Sequence, residues 1–189
     1  MRPINRRGFC LLGATGALAF WAGCRRESAA AHASTPASAP EEVTIIEFGD
    51  SGERGQAVTV ATLAKTDADW RAQLTPLAFD VTRRAGTETP FTSPLVEEHG
   101  KGVFRCICCE TAVFASEAKF ESGTGWPSFY QPIAKENVLE IMDSSYFMVR
   151  TAVSCRRCDA HLGHVFDDGP PPTGLRYCIN GVALKFARA

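Results

Sequence analysis

Two Cys-x-x-Cys pairs, Cys106/Cys109 and Cys155/Cys158, limit what this chain can fold into more than any other feature. Each pair can close as a tight knuckle that aims two sulfurs at one point, and two knuckles complete a tetrahedron. A closed four-thiolate shell suits Zn²⁺ and leaves no open position for a substrate. The spacing therefore predicts one structural zinc ion per chain, pinning together two strand connections that are remote in sequence. Such a site contributes directly to folding, because the unfolded chain binds the metal less well. Two disulfides, a redox Cys-x-x-Cys and an iron site of the same geometry compete for the same residues. Cys108 sits next to Cys109 and cannot replace it without spoiling the knuckle spacing.

Cys178 stands outside that arrangement. It lies two residues after Arg176 and two before Asn180, with His161 and His164 upstream. In this polar company it reads as a reagent rather than a staple. The chain around these residues is an ordinary globular one of 189 residues, with 45% hydrophobic and 22% charged residues, long enough for a real core. Its net charge of −1 gives no electrostatic reason to expect a nucleic-acid partner.

The expected elements begin with β-branched runs at Val43–Phe48 and Ala57–Val60, joined by a Gly-rich turn as a hairpin. Asp67–Asp69 opens a short helix to Leu74. Thr75-Pro76 caps a second, running to Arg84 and stopping at Gly86, with Leu77, Val81 and Arg84 on one face. Strands follow at 103–105, 112–114, 138–142, 146–154, 163–166, 176–179 and 181–186. Short helices followed by a run of strands predict an α+β domain over 43–189 with a predominantly antiparallel sheet.

The first 24 residues read as an export signal. Arg6-Arg7 precede an apolar run from Cys10 to Ala22, too short to span a membrane, for which about 20 apolar residues are needed. The arginine pair resembles twin-arginine signals, which export folded proteins. Twin-arginine export would let the domain fold around its metal before leaving a reducing compartment, which weakens the disulfide reading. Ala22-Gly23-Cys24 resembles a lipobox, with Trp21 where an aliphatic residue is usual; cleavage after Ala31-His32-Ala33 competes with lipidation at Cys24. Residues 25–42, rich in Ala, Ser and Pro, read as a flexible tether. The expected location is outside the cytoplasm, periplasmic or membrane-anchored.

A second signal is Gly123-Thr-Gly-Trp-Pro-Ser-Phe129. With the doubled Cys-x-x-Cys, His161-Leu-Gly-His164 and Arg176-Tyr-Cys-Ile-Asn180, it resembles the B-type peptide methionine sulfoxide reductases, specific for the R sulfoxide. The resemblance runs from about Leu74 to Phe186, with the motifs in the family's order. It implies a single-chain enzyme that repairs oxidised proteins or peptides with electrons from a thioredoxin-like or other thiol. It also implies a fold of two small tent-like sheets and an active site of Trp126, His161, His164, Arg176, Cys178 and Asn180.

The chemistry so implied fits the residue types. A sulfoxide sulfur is a poor electrophile until its oxygen is protonated, so reduction needs a thiolate at sulfur and an acid near oxygen. Arg176 is expected to raise the thiolate fraction of Cys178. His161 and His164 can supply or relay the proton, and Asn180 can orient the oxygen. Trp126 offers a flat wall for the substrate methyl group. Attack leaves Cys178 as a sulfenic acid. Asp167-Asp168-Gly169-Pro170 reads as a solvated turn with no chemistry.

One departure matters. Many members of that family carry a resolving cysteine two positions ahead of the tryptophan; here that position is Thr124. Direct reduction of Cys178 by an external thiol is the expected route, with Cys108 as the alternative partner. A zinc-ribbon interaction module and a rubredoxin-like electron carrier are the competing readings of the whole chain.

Overall fold

Each knuckle closes the turn between two antiparallel neighbours, and the strands grow outward from those turns. The computed structural model describes residues 41–143 and 150–189. The export signal, Cys24, the alternative cleavage site and the tether to residue 40 lie outside the described residues. So does the 146–149 start of the strand expected over 146–154.

The chain opens with the expected hairpin, β1 (Glu42–Phe48) against β2 (Arg54–Ala61), which forms its own two-stranded ladder. Two helices follow, α1 (Asp67–Gln73) and α2 (Pro76–Arg84). The cap of α1 is Thr66, not an aspartate: its Oγ1 accepts from the Asp69 amide, and the Asp69 carboxylate accepts from the Thr66 amide. Thr75 caps α2 as expected, and the helix stops at Ala85, in the left-handed region at φ 53°. Of Leu77, Val81 and Arg84, which share one face, only Val81 is buried. Ala78, Phe79, Val81 and Thr82 are buried while Leu77 is 45% exposed. The buried stripe is turned by about one residue around the helix because α2 packs against the strand carrying the histidines and the turn after Cys178.

The remaining strands are β3 (Gly102–Cys106), β4 (Ala112–Ala115), β5 (Lys119–Phe120), β6 (Ser128–Phe129), β7 (Val138–Asp143), β8 (Arg150–Cys155), β9 (His161–Phe166), β10 (Arg176–Ile179) and β11 (Leu184–Arg188). The antiparallel α+β expectation holds. A six-stranded sheet runs β5-β6-β10-β9-β8-β7 and a three-stranded one β11-β3-β4, with the β1–β2 ladder as a third. The strand expected over 181–186 is corrected: Gly181–Ala183 form a 3-10 turn, and only then does β11 begin. The amides of Gly181 and Val182 donate to the buried Glu88 carboxylate instead of to a neighbouring strand.

Aromatic rings fill the space between the two larger sheets. Phe114 of β4 stacks on Phe129 of β6 at 4.4 Å between centroids, and Phe104 of β3 meets Phe129 edge-on at 5.0 Å. Tyr177 of β10 closes the group, 5.7 Å from Phe114. All four are at most 2% exposed, and burying each contributes about 1.5–3 kcal/mol. The six-stranded sheet is strongly coiled. Tyr177 on β10 hydrogen-bonds Glu140 on β7 at 2.7 Å, although β9 and β8 lie between them.

Two side chains tie the hairpin to the domain: Arg105, which donates to the Phe48 carbonyl at 2.8 Å and meets Asp50 at 2.7 Å, and Asn137. Asn137, fully buried, accepts from the Ile46 amide at 2.7 Å and donates to the carbonyls of Ile46 and Ala112, both at 2.8 Å. Asn137→Ala strands one buried N–H and weakens two carbonyls. It should lower stability by about 3–5 kcal/mol in urea denaturation. A loss below about 1 kcal/mol would show that the hairpin does not depend on this residue.

Candidate active site and metal centre

The two knuckles have the same backbone. In each, the amide after the second cysteine donates to the carbonyl of the first: Glu110 to Cys106 and Asp159 to Cys155, both at 2.9 Å. Both residues lie in the left-handed region, Glu110 at φ 61° and Asp159 at 53°. The four Sγ atoms fall within 4.8 Å of one another. Cys106 and Cys158 are 3.7 Å apart, and Cys109 and Cys155 are 3.5 Å apart. Zn–S bonds of about 2.3 Å in a tetrahedron put sulfurs about 3.8 Å apart, so the four residues fit Zn²⁺. None of these cysteines forms a disulfide.

Both helices brace the cluster from outside. Gln73 of α1 donates to the Cys108 carbonyl at 2.9 Å, and Arg83 of α2 donates to the Cys158 carbonyl at 2.8 Å. Cys108 is 3% exposed and packed into the core beside the ligands.

β10 sorts its residues by face. Tyr177 and Ile179 point into the core, 2% and 0% exposed, so Arg176 and Cys178 point the other way. Cys178 pairs with His164 on β9 and Ser128 on β6, and Arg176 pairs with Phe166. His161 and His164, three positions apart, would face opposite sides of a regular strand. A register shift between β8 and β9 inserts one extra residue, and the two rings lie 5.2 Å apart in a T-shaped contact. Gly163 sits between them because a Cβ there would lie 2.1 Å from the Cys178 carbonyl oxygen.

A cleft of about 140 Å³ opens at Cys178, and Trp126, His164 and Asn180 line it with Thr87, Arg150, Gly163 and Phe166. Trp126 is fixed by its Nε1–H, which donates to the Glu88 carbonyl at 3.2 Å. Asn180 is buried, donating to the Leu162 carbonyl at 3.0 Å and accepting from the Glu88 amide at 3.0 Å. His164 Nε2 lies 3.2 Å from the Asp143 carboxylate, which Arg150 also meets at 3.2 Å. His161 and Arg176 are the two candidate residues that do not line this cleft. His161 faces an adjoining groove that shares His164 and Arg150.

The charges differ from the expectation at two points. Burial pushes the Cys178 thiol above its ordinary range, and the pull of Thr124 and Arg176 only partly offsets that. Arg176 does not win because it is engaged elsewhere: Nε and Nη2 each meet an Asp168 oxygen at 2.8 Å, and its guanidinium lies 4.6 Å over the Phe166 ring. Asp168, expected to be a solvated turn residue, thus holds the arginine. A hairpin pairing of β9 with β10 would have placed it there. Arg150, Glu88 and Asp143 carry no local sequence signal; they reach the site only through the fold.

Burial, reinforced by His164, pulls the His161 imidazole down to about 4, and its Nε2 is buried without a hydrogen-bond partner among the described residues. Burial also lowers His164, against the opposing pull of Asp143. The resting site is therefore a neutral thiol beside neutral imidazoles. Thr124 Oγ1 is 4.0 Å from the Cys178 sulfur, within a chain of hydroxyls that continues to Ser122 and Ser128.

A SelR domain matches residues 74–188 of this chain. A peptide methionine sulfoxide reductase MsrB of Herminiimonas arsenicoxydans is 57% identical over 122 residues, covering 65% of this chain and 89% of that protein. Proteins of the same name from Pseudomonas entomophila and Agrobacterium fabrum are 58% and 50% identical. The first covers 64% of this chain and 92% of the relative, the second 68% and 96%.

Two outcomes follow from the geometry. Purified protein should carry about one zinc per chain, and Cys155→Ser should lose both the metal and the cooperative thermal transition. Retention of both by the variant would remove the structural role. Between the ordinary imidazole pKa and the depressed value of His161, the unfolded chain binds a proton that the folded chain refuses. Stability should therefore fall on acidification from pH ~6.5 to ~4, by up to about 3 kcal/mol. In His161→Gln, urea denaturation across this range should show a shallower fall, with zinc content followed in parallel.

Proposed function

From its membership of the SelR-domain family, to which this chain belongs, we propose that it reduces methionine R-sulfoxide in oxidised proteins or peptides to methionine. The observation that carries this is the cleft itself, where Cys178, the Trp126 wall, His164 and Asn180 meet. Trp126 packs the substrate methyl group and holds one epimer with its oxygen toward His164 and Asn180. The Cys178 sulfur attacks the sulfoxide sulfur, the S–O bond of the substrate breaks, and oxygen passes to Cys178. Methionine leaves, and Cys178 remains as a sulfenic acid.

The proton balance suits a neutral resting site. One thiol proton leaves sulfur and one proton must reach the oxygen, so no net proton enters or leaves. His164 is placed to hold that proton in transit, with Asp143 behind it to stabilise the imidazolium. His161 supports His164 edge-on from the side. Arg176, neutralised by Asp168, serves to fix the end of the β9–β10 hairpin as well as to soften the field at Cys178. The zinc, enclosed by four thiolates, supplies stability and no step of the reaction.

Recycling falls to an external thiol. Position 124 adjoins the Cys178 sulfur but offers a hydroxyl, and Cys108 is locked into the core beside the metal ligands. Two thiols of a thioredoxin-like or small reductant then return the sulfenic acid to thiol, releasing water and their own disulfide. The proposed steps need residues of one chain alone, and the protein is proposed to act as a monomer. The leader supports export and action outside the cytoplasm, with lipidation at Cys24 as the means of anchoring.

An assay on separated R and S epimers tests the core of this reading. Wild type should turn over R only, and Cys178→Ser should be inactive on both. Turnover of S in place of R would overturn it. Without reductant, one equivalent of methionine should form per chain, with Cys178 trapped by a sulfenic-acid tag; a Cys108–Cys178 disulfide would overturn the recycling route.

A further inference from the structure

Glu88 is among the largest fully buried side chains, 2% exposed. A buried carboxylate is costly unless it is paired or well hydrogen-bonded. Among the described residues Glu88 has no salt-bridge partner. Its two oxygens instead accept from successive backbone amides, Oε1 from Gly181 and Oε2 from Val182, the latter at 3.0 Å. These amides open the 3-10 turn Gly181–Ala183, where N–H groups have no partner within the turn.

The backbone of the same residue reaches the site on both sides. The Glu88 carbonyl accepts from Trp126 Nε1 at 3.2 Å, and its amide donates to Asn180 Oδ1 at 3.0 Å. The loop is sewn down again three residues later, where the Phe91 amide donates to the Gly125 carbonyl at 2.8 Å. Trp126 and Asn180 are therefore not set independently. One residue holds the apolar wall, the polar side chain and the turn that follows Asn180.

We propose that Glu88 is a positioning residue for sulfoxide recognition, its carboxylate anchoring the 181–182 amides so that its backbone holds Trp126 and Asn180 at a fixed separation. A glutamine cannot replace it. The amide oxygen can accept one N–H, but the NH₂ group would face the other, donor against donor. The loop would shift, and with it the carbonyl under Trp126 and the amide on Asn180. Cys178 itself makes no hydrogen bond to Glu88, and its strand partners are Ser128 and His164, so it keeps its place on β10.

The inference rests on the sulfoxide-reductase reading, which the wild-type epimer assay tests by itself. Glu88→Gln is compared with wild type in the full chain, below its melting transition. We expect about one zinc per chain, Cys178 still open to iodoacetamide alkylation, and a drop in kcat/KM for free R-sulfoxide of about tenfold or more, mainly through KM. Preference for R over S should narrow. Combining Glu88→Gln with Trp126→Phe should cost less than the product of the single effects, since both break one contact. Glu88→Asp, with the charge but one methylene short of spanning both amides, should show a smaller loss of the same kind, and it decides the matter if Glu88→Gln fails to fold. A purely structural glutamate would instead lower the melting temperature while leaving KM and epimer preference at wild-type values. That result, or a fully multiplicative double variant, overturns the proposal.

Discussion

Four sulfurs gathered within 4.8 Å join parts of the fold that share no strand. The first knuckle closes the turn between β3 and β4 in the three-stranded sheet, and the second closes the turn between β8 and β9 in the six-stranded sheet. A metal held by both therefore fastens the two sheets at their turns, while the Phe104, Phe114, Phe129 and Tyr177 rings fill the space between them. The second knuckle ends at Cys158, and His161 begins the next strand. The register of β9 against its neighbours, and so the placing of His164 opposite Cys178 with His161 beside it, starts from a point that the metal fixes. Gln73 and Arg83 extend the same constraint to the helices, each holding a knuckle carbonyl.

Much of this was legible because it is written locally. A Cys-x-x-Cys knuckle is a short-range geometry, and it recurs here with one backbone conformation. Arg176-x-Cys178 on β10 is also local: alternation sends Tyr177 and Ile179 into the core, leaving their neighbours on the cleft side. The α2 boundaries were readable from Thr75-Pro76 at one end. The buried face of α2 was not, since it depends on what the helix packs against. The 3-10 turn at Gly181–Ala183 was misread for a related reason. Its sequence suits a strand, but its amides go to a glutamate more than ninety residues upstream.

The site residues divide in the same way. Cys178, His164, Asn180 and Trp126 sit in recognisable motifs and meet in one cleft. Asp168 and Arg176 required the hairpin pairing, Asp143 and Arg150 required the pairing of β7 with β8 and of β8 with β9, and His161 required a register irregularity that periodicity cannot anticipate. Charge was the least legible property. An arginine two residues from a cysteine suggests an activated thiolate, yet a bidentate aspartate and burial reverse the balance. Proximity in sequence states what could interact; only the full set of partners decides which interaction prevails.

A neutral, largely buried thiol is a sensible resting state where, as proposed, an external thiol completes the cycle. A thiolate held permanently at a surface would oxidise or exchange with any disulfide it met. With Thr124 beside it, Cys178 has no neighbouring thiol among the described residues to return it from an unwanted oxidation. Keeping the proton on sulfur until a sulfoxide fills the cleft limits such side reactions, and the neutral histidines leave the oxygen as the best destination for that proton. The cost is that ground-state reactivity is low, so discrimination has to come from how well the substrate is held. In the proposed mechanism that places the burden on Trp126 and Asn180, and hence on the buried contacts that fix them rather than on the electrostatics of the cysteine.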